Sequence, residues 1–287
     1  MKYAFIRDHR KYYPVRTLCR SLCVSRSGYY AWQARPESTR LKANRALLQQ
    51  IEEVHRQSRQ TYGPIRIRRE LLSKDIQAGV NRIAKLKRQA GLVTVQAKVW
   101  QSSCGGRTFE HIAEHKLLRR FSASGPNRRW VGDITFISTA EGWLYLSVFM
   151  DLYSRMIVGW AMNGSPNRSL VTDALEMALG RRGKPCELLI HTDQGVQYRT
   201  GQYQAILARN GIEPSMSRKG KCLDNAAMES FFHTLKTEHV RHHRYRTREQ
   251  ARQSLFDYIE IFYNRQRRHS YLDYMTPFEY EQRNAVS

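Results

Sequence analysis

Three carboxylates in a strongly basic chain, Asp133, Asp193 and Glu229, are the residues that chemistry would use. Carboxylate oxygens are the ligands that hard divalent cations prefer. Two such ions about 3.5–4 Å apart can activate an attacking oxygen and stabilise a leaving one in phosphodiester transfer. Without a metal, three acids gathered at one point would repel one another and any polyanion alike. Their meaning therefore depends on the elements that carry them.

Residues 222–236 read as a helix, with Asp224 available as its N-cap and no Pro or Gly before Lys236. Met228, Phe231, Phe232 and Leu235 fall at i, i+3, i+4 and i+7 and form one apolar stripe. Glu229 borders that stripe, and Lys236 follows two turns later, about 10 Å along the axis. An ordinary amphipathic helix with solvated charges is the competing interpretation. Upstream, Arg129 to Ile137 alternates as a strand, and Trp143 to Met150 and Met156 to Met162 are β-rich runs, giving a three-stranded antiparallel meander. A helix over Ser169–Leu179 follows, then a short strand from Leu188 to Thr192 that ends at Asp193. Thr200 caps a helix that Asn210-Gly211 stops, and Ile212 to Met216 makes a fifth strand. The order βββαβαβα is that of an α/β, ribonuclease-H-like fold: a five-stranded mixed sheet flanked by helices. It puts Asp133 in the central strand, Asp193 at the end of a neighbour, and Glu229 on the helix after the last strand.

The first two fifths of the chain look different. Residues 1–120 hold 26 Lys/Arg against 8 Asp/Glu, whereas the remainder holds 22 against 17. Such an excess, interleaved with Tyr and Trp, points to nucleic acid rather than to a membrane surface. Residues 15–33 read helix, turn, helix, with Arg26 at the turn. Residues 81–89 read as a second recognition-type helix, on which Arg82, Lys85, Lys87 and Arg88 crowd the surface around Ile83 and Leu86. The expected organisation is a basic helix-turn-helix-like region at 1–40, a second helical DNA-binding region at 41–100, and a linker at 101–127. A catalytic core at 128–240 and a C-terminal helix with a basic tail at 241–287 complete it. The core face of that last helix is Ala251, Leu255, Tyr258, Ile259 and Phe262, behind a Thr247–Gln250 capping box.

Several classes are not supported. The five cysteines are scattered and odd in number, which argues against a disulfide framework and fits a reducing compartment. Cys104, His111 and His115 lack a convincing fourth zinc ligand. No apolar run approaches the roughly 20 residues of a membrane span, and the N-terminus is no signal peptide. A soluble, cytoplasmic protein is expected.

With these residues in place, the chain resembles the catalytic, second-frame subunit of bacterial insertion-sequence transposases of the retroviral-integrase-like DDE class. The resemblance is carried by Trp130-Val131-Gly132-Asp133-Ile134-Thr135, Asp151-Leu152-Tyr153-Ser154-Arg155 and His191-Thr192-Asp193-Gln194-Gly195. It continues through Asp224-Asn225-Ala226, Glu229-Ser230-Phe231-Phe232, Lys236 and Tyr263-Asn264-Arg265-Gln266-Arg267-Arg268-His269-Ser270. The 35 residues between Asp193 and Glu229 match the family's spacing. The resemblance implies DNA cleavage and strand transfer at element ends, with Asp133, Asp193 and Glu229 holding two Mg²⁺ or Mn²⁺ ions. It implies DNA contacts from Lys236, and the basic loop Arg218, Lys219 and Lys221 joins them as a contact before the catalytic helix. It also implies assembly as a homo-oligomer on paired element ends and target DNA, and fusion by frameshifting to an upstream helix-turn-helix subunit. Arg267 and Arg268, in the basic tail, are expected near the catalytic face or on the DNA backbone. Asp151 reads as structural, and neither His191 nor His233 is needed as a general base. The alternatives are a DNA-binding regulator on a silent scaffold and a structure-selective nuclease.

Overall fold

The computed structural model describes residues 1–95, 116–117, 122–217 and 225–284. Six helices open the chain: α1 (Lys2–His9), α2 (Val15–Ser21), α3 (Arg26–Ala34), α4 (Thr39–Gln57), α5 (Pro64–Leu72) and α6 (Val80–Gln89). Then come β1 (Arg129–Thr139), β2 (Gly142–Asp151), β3 (Ile157–Asn163), α7 (Arg168–Arg182), β4 (Leu189–Thr192), α8 (Gly201–Arg209) and β5 (Glu213–Met216). Helices α9 (Ala226–Glu238), α10 (Arg248–Phe256) and α11 (Pro277–Asn284) close it, with a π-helical turn at Asp257–Tyr263 extending α10.

The strands form one mixed sheet in the order β3-β2-β1-β4-β5. β1 pairs antiparallel with β2, setting Asp133 opposite Val148, and parallel with β4, setting Val131 opposite His191. The predicted strand order is thus the observed one. Because side chains alternate across a strand, each face of the sheet buries its own apolar set. On one face Val131, Ile137 and Leu146 pack under Met228, Phe231 and Leu235 of α9 and Leu255 of α10. On the other, Trp130 and Phe149 pack under Val171 and Leu175 of α7 and Tyr203 and Leu207 of α8. The first face runs unbroken from Leu235 through Tyr245 and Ala251 to Phe262, so the boundary expected at 240/241 does not divide the core.

Gly159 on β3 lets α7 sit directly on the sheet. A Cβ there would stand 2.3 Å from the Ala174 carbonyl oxygen and 2.6 Å from the Ala178 Cβ. Gly159→Ala is therefore expected to lower stability by about 1–3 kcal/mol through overpacking, read as a lower urea midpoint at unchanged slope.

The N-terminal helices make two small cores. Ile6, Cys19 and Tyr29 unite α1 to α3, and Ile51, Ile67, Leu71 and Ile83 unite α4 to α6. Helix α1 is an element the sequence pattern did not reveal. Ser25 caps α3 as expected, accepting the Gly28 N–H at 2.9 Å. Lys87 departs from expectation: it is buried rather than part of the cationic surface, and its Nζ donates to the Tyr62 carbonyl at 3.0 Å. It sits one turn after Ile83, so its stem crosses the α4–α6 core and its ammonium meets the Tyr62 carbonyl together with the Thr94 hydroxyl. Among the described residues, no helix is long and apolar enough to cross a membrane.

Candidate active site

Asp133 projects from the middle of β1, half-buried, beneath the start of α9. Its Oδ1 accepts the N–H of Ile134 at 2.8 Å. Asp193 follows directly on β4, and the parallel β1–β4 register, with Val131 opposite His191, leads the end of β4 toward Asp133 in mid-β1. The Asp193 carboxylate is oriented by the Gly195 N–H at 2.9 Å. Glu229 lies in the first turn of α9, where the apolar stripe anchors the helix on the sheet. Asn225 Nδ2 donates to the Gly132 carbonyl at 3.3 Å, tying the start of α9 to the residue before Asp133.

The electrostatics of Asp133 register both of the other acids. Burial, then repulsion from Asp193, and a smaller repulsion from Glu229, push the Asp133 carboxyl up to about 8. Burial also raises Asp193 and Glu229 above their ordinary values. Tyr198, fully buried in the core under α7 and α8, is raised by burial and then by Asp193 and Asp133. A set of hard oxygen donors whose charges oppose one another fits a divalent cation, which would relieve that repulsion. Among the described residues, no trio of His, Cys, Asp or Glu side chains is closed around a single point as a bound ion requires. The carboxylates are neighbours here, short of a finished cage.

Lys236, two turns after Glu229, is half-buried with its Nζ 5.0 Å from the centre of the Phe136 ring. Burial lowers its pKa, while Asp133 opposes that shift, so the ammonium also faces the acids. His191 is occupied: Nδ1 is 2.8 Å from Ser215 Oγ and Nε2 is 3.0 Å from Ser217 Oγ, stitching β4 to β5 and its exit. Asp151, fully buried, accepts the N–H groups of Asn127 at 2.7 Å and Tyr153 at 2.9 Å, a clamp on the turn after β2.

Sequence relationships agree with this geometry. An integrase core domain family matches residues 123–222, and a second integrase core domain family matches 210–277. An HTH-like domain family matches 42–99. The transposase InsF for insertion sequence IS3A of Escherichia coli (strain K12) is 40% identical over 290 residues, covering 100% of each chain. The chain belongs to the IS3 family of insertion-sequence transposases. The insertion element IS600 uncharacterized 31 kDa protein of Shigella sonnei is 39% identical over 266 residues, 93% of this chain and 98% of that one. Among solved structures, the simian T-cell lymphotropic virus intasome in complex with PP2A regulatory subunit B56 gamma aligns with a TM-score of 0.47. That match has 17% identity and covers 71% of this chain and 67% of that one. The HTLV-2 integrase catalytic core domain in complex with magnesium aligns with a TM-score of 0.41 and 17% identity, covering 55% of this chain and 98% of that one.

The transposase places its other predicted contacts unevenly. Arg26, Lys85 and Arg88 are exposed, as is Arg82, whose Nε donates to Asn44 Oδ1 at 2.9 Å. Arg218, Lys219 and Lys221 lie outside the described residues, as do Asp224, Cys104, His111 and His115. The described N-cap of α9 is Asn225, whose side chain makes no cap bond. Arg267 and Arg268 are a correction. Arg267 is buried and forks onto both oxygens of Glu238 at 2.7 Å. Arg268 binds Glu70 at 2.6 Å and the Tyr274 carbonyl at 3.0 Å. Both guanidiniums are bound to acceptors within the fold, because the chain turns back after the α10 extension and passes between α5 and α9. The expected basic DNA contact is instead a structural joint. Sequence reading missed Tyr198, Asn225 and Phe136; only the position of Asn225 beside Asp224 hinted at its role.

Proposed function

We propose that this transposase cleaves DNA at the ends of its element and joins the freed ends to target DNA, with Asp133, Asp193 and Glu229 as the catalytic triad. The observation that supports the reading is the placement of Asp133 on β1, Asp193 at the end of the paired β4 and Glu229 on α9, whose start is tied to Gly132 beside Asp133. Two divalent ions held by those oxygens would supply electrophilic stabilisation of the phosphodiester oxygens. In the cleavage step, a water oxygen bonds to phosphorus and the 3′ oxygen leaves as a 3′-OH. In joining, that 3′-OH oxygen bonds to a target phosphorus and a target 3′ oxygen leaves. The sheet fixes Asp133 and Asp193 relative to each other, and Asn225 fixes where α9 delivers Glu229. Lys236, beside Asp133, would hold the charged phosphate near the reacting centre. His191, with both ring nitrogens engaged by serines, serves as a structural tie.

In this reading Arg26, Arg82, Lys85 and Arg88 contact DNA outside the cleft, at the bacterial nucleoid, as do Arg218, Lys219 and Lys221. The active assembly is a homo-oligomer on paired element ends, with or without an upstream-frame helix-turn-helix subunit. Lys236→Gln is expected to weaken binding of element-end DNA uniformly and to reduce the salt dependence by roughly one phosphate contact. A titration of binding against salt concentration reads this directly. The reaction itself is tested by giving the chain, alone and fused to the preceding frame, paired element ends and a labelled target. Mg²⁺-dependent joined product is expected; product that is only cut favours a nuclease, and indifference to Mg²⁺ favours a regulator.

A further inference from the structure

A second cleft lies on the flank of the catalytic helix. It has a volume of about 340 Å³ and is lined by Ser230 and Thr234 of α9, Arg66 of α5, Arg155 from the turn before β3, and Arg267 and His269 of the tail. Among the described residues that line it, none is acidic. Arg267 is held in place by Glu238 and donates through Nη1 toward His269 Nε2 at 3.2 Å. The Arg155 guanidinium carbon stands over the Tyr271 ring, 4.1 Å from its centre.

Arg66 is the unusual member. Its side chain is only 24% exposed, yet among the described residues no acceptor is within hydrogen-bond distance of it. The nearest carboxylate, Glu238, is 3.8 Å away and already engaged by Arg267. Burial and the Arg267 charge pull the Arg66 pKa down. Burial, then Arg267, Arg66 and Arg155, drive His269 far below its ordinary range, so all three guanidiniums converge on one spot. A half-buried guanidinium whose one carboxylate neighbour is shared with Arg267, beside a third guanidinium, has donors left for a further anion.

We propose that this cleft seats a backbone phosphate of the DNA that enters the catalytic site, with Arg66 as its principal ligand and the Ser230 and Thr234 hydroxyls as further donors. The cleft lies on the face of α9 that carries Ser230 and Thr234, about a quarter turn round the same helix from Glu229. Three parts of the chain meet there: the HTH-like region through Arg66, the sheet through Arg155, and the tail through Arg267. A phosphate bound by Arg66 there would add a link between the helical region and the core to the one that Arg268 and Glu70 already make, while Arg267 stays paired with Glu238. This rests on the strand-transfer reading for the choice of DNA as the anion.

The test uses the full chain and a duplex of its own element end, with binding followed by anisotropy over a salt series. Arg66→Gln is expected to weaken binding about tenfold or more and to lower the salt slope by about 0.9, the value of one phosphate. A set of duplexes, each with one neutral methylphosphonate, should contain a position that weakens the wild-type protein and leaves Arg66→Gln indifferent. Thr234→Asp, nearly isosteric, should place a carboxylate in the cleft, keep or raise the thermal midpoint, and lose DNA affinity in the same way. Unchanged affinity and slope in both variants, or wild-type protein that fails to bind the duplex, would overturn the proposal. Calorimetry with deoxyadenosine monophosphate separates a free nucleotide from DNA. Binding that Arg66→Gln abolishes without any change in DNA affinity would also overturn it. A chain that shows every predicted binding effect yet never joins DNA would refute the strand-transfer reading and leave the phosphate seat standing.

Discussion

Asp133→Asn is expected to yield a protein that is inactive and yet more stable than the parent at neutral pH without metal. The loss of cleavage should be about 10³-fold or more, because electrophilic stabilisation by a bound divalent ion contributes several kcal/mol. The gain in stability follows from the raised carboxyl. An unfolded Asp titrates near its ordinary value of about 3.9, whereas Asp133 in the fold is held up to about 8. A group whose pKa is raised on folding stabilises the fold fully below its unfolded pKa, and that contribution is lost as pH rises through the folded pKa. Metal-free transposase should therefore lose stability between about pH 4 and pH 8, and Asp133→Asn should flatten most of that decline. The difference at pH 8 should be on the order of 2–4 kcal/mol, below the full linkage, since water at the cleft mouth screens part of the repulsion. Thermal unfolding in a chelator across pH reads it, and millimolar Mg²⁺ should remove the decline in the parent alone. A decline of equal depth in both proteins would show that the acids do not repel one another as described.

Glu238→Gln is expected to cause the largest loss of stability of any substitution considered. The Glu238 side chain is 11% exposed and takes both prongs of Arg267, itself 6% exposed, with Arg66 at 3.8 Å. Removing the carboxylate charge leaves Arg267 buried beside two other guanidiniums, at a cost of about 3–5 kcal/mol. Chemical denaturation should show it as a lower midpoint. The double variant Arg267→Met with Glu238→Gln should recover a large part, because no uncompensated buried charge then remains. If Glu238→Gln unfolds at the parent's midpoint, the tail is no structural joint, and Arg267 regains its place among the DNA contacts.

These two expectations differ in how far they were legible in the chain itself. The carboxylates could be placed because strands announce themselves locally: alternation over Arg129–Ile137 and the short run ending at Thr192 fix which residues reach the sheet edge. The apolar stripe of α9 likewise fixed which side of that helix meets the sheet. The tail was not legible. A run of Arg265, Gln266, Arg267 and Arg268 looks the same whether it meets DNA or a carboxylate, and Glu238 is 29 residues away from Arg267 in sequence. Lys87 misled for the same reason: a long stem and a distant carbonyl partner leave no periodic signal. Arg66 gave none either, since its isolation arises only where α5, the turn before β3 and the tail converge.

Joint action of Asp133, Asp193 and Glu229 on DNA requires that each be indispensable. Its most direct test is strand transfer on paired element ends with Mg²⁺, comparing the parent with Asp133→Asn, Asp193→Asn and Glu229→Gln at matched DNA occupancy. Joined product is expected from the parent alone, with all three variants folded and bound to DNA. Joining at the parental rate by any one of the three would contradict it.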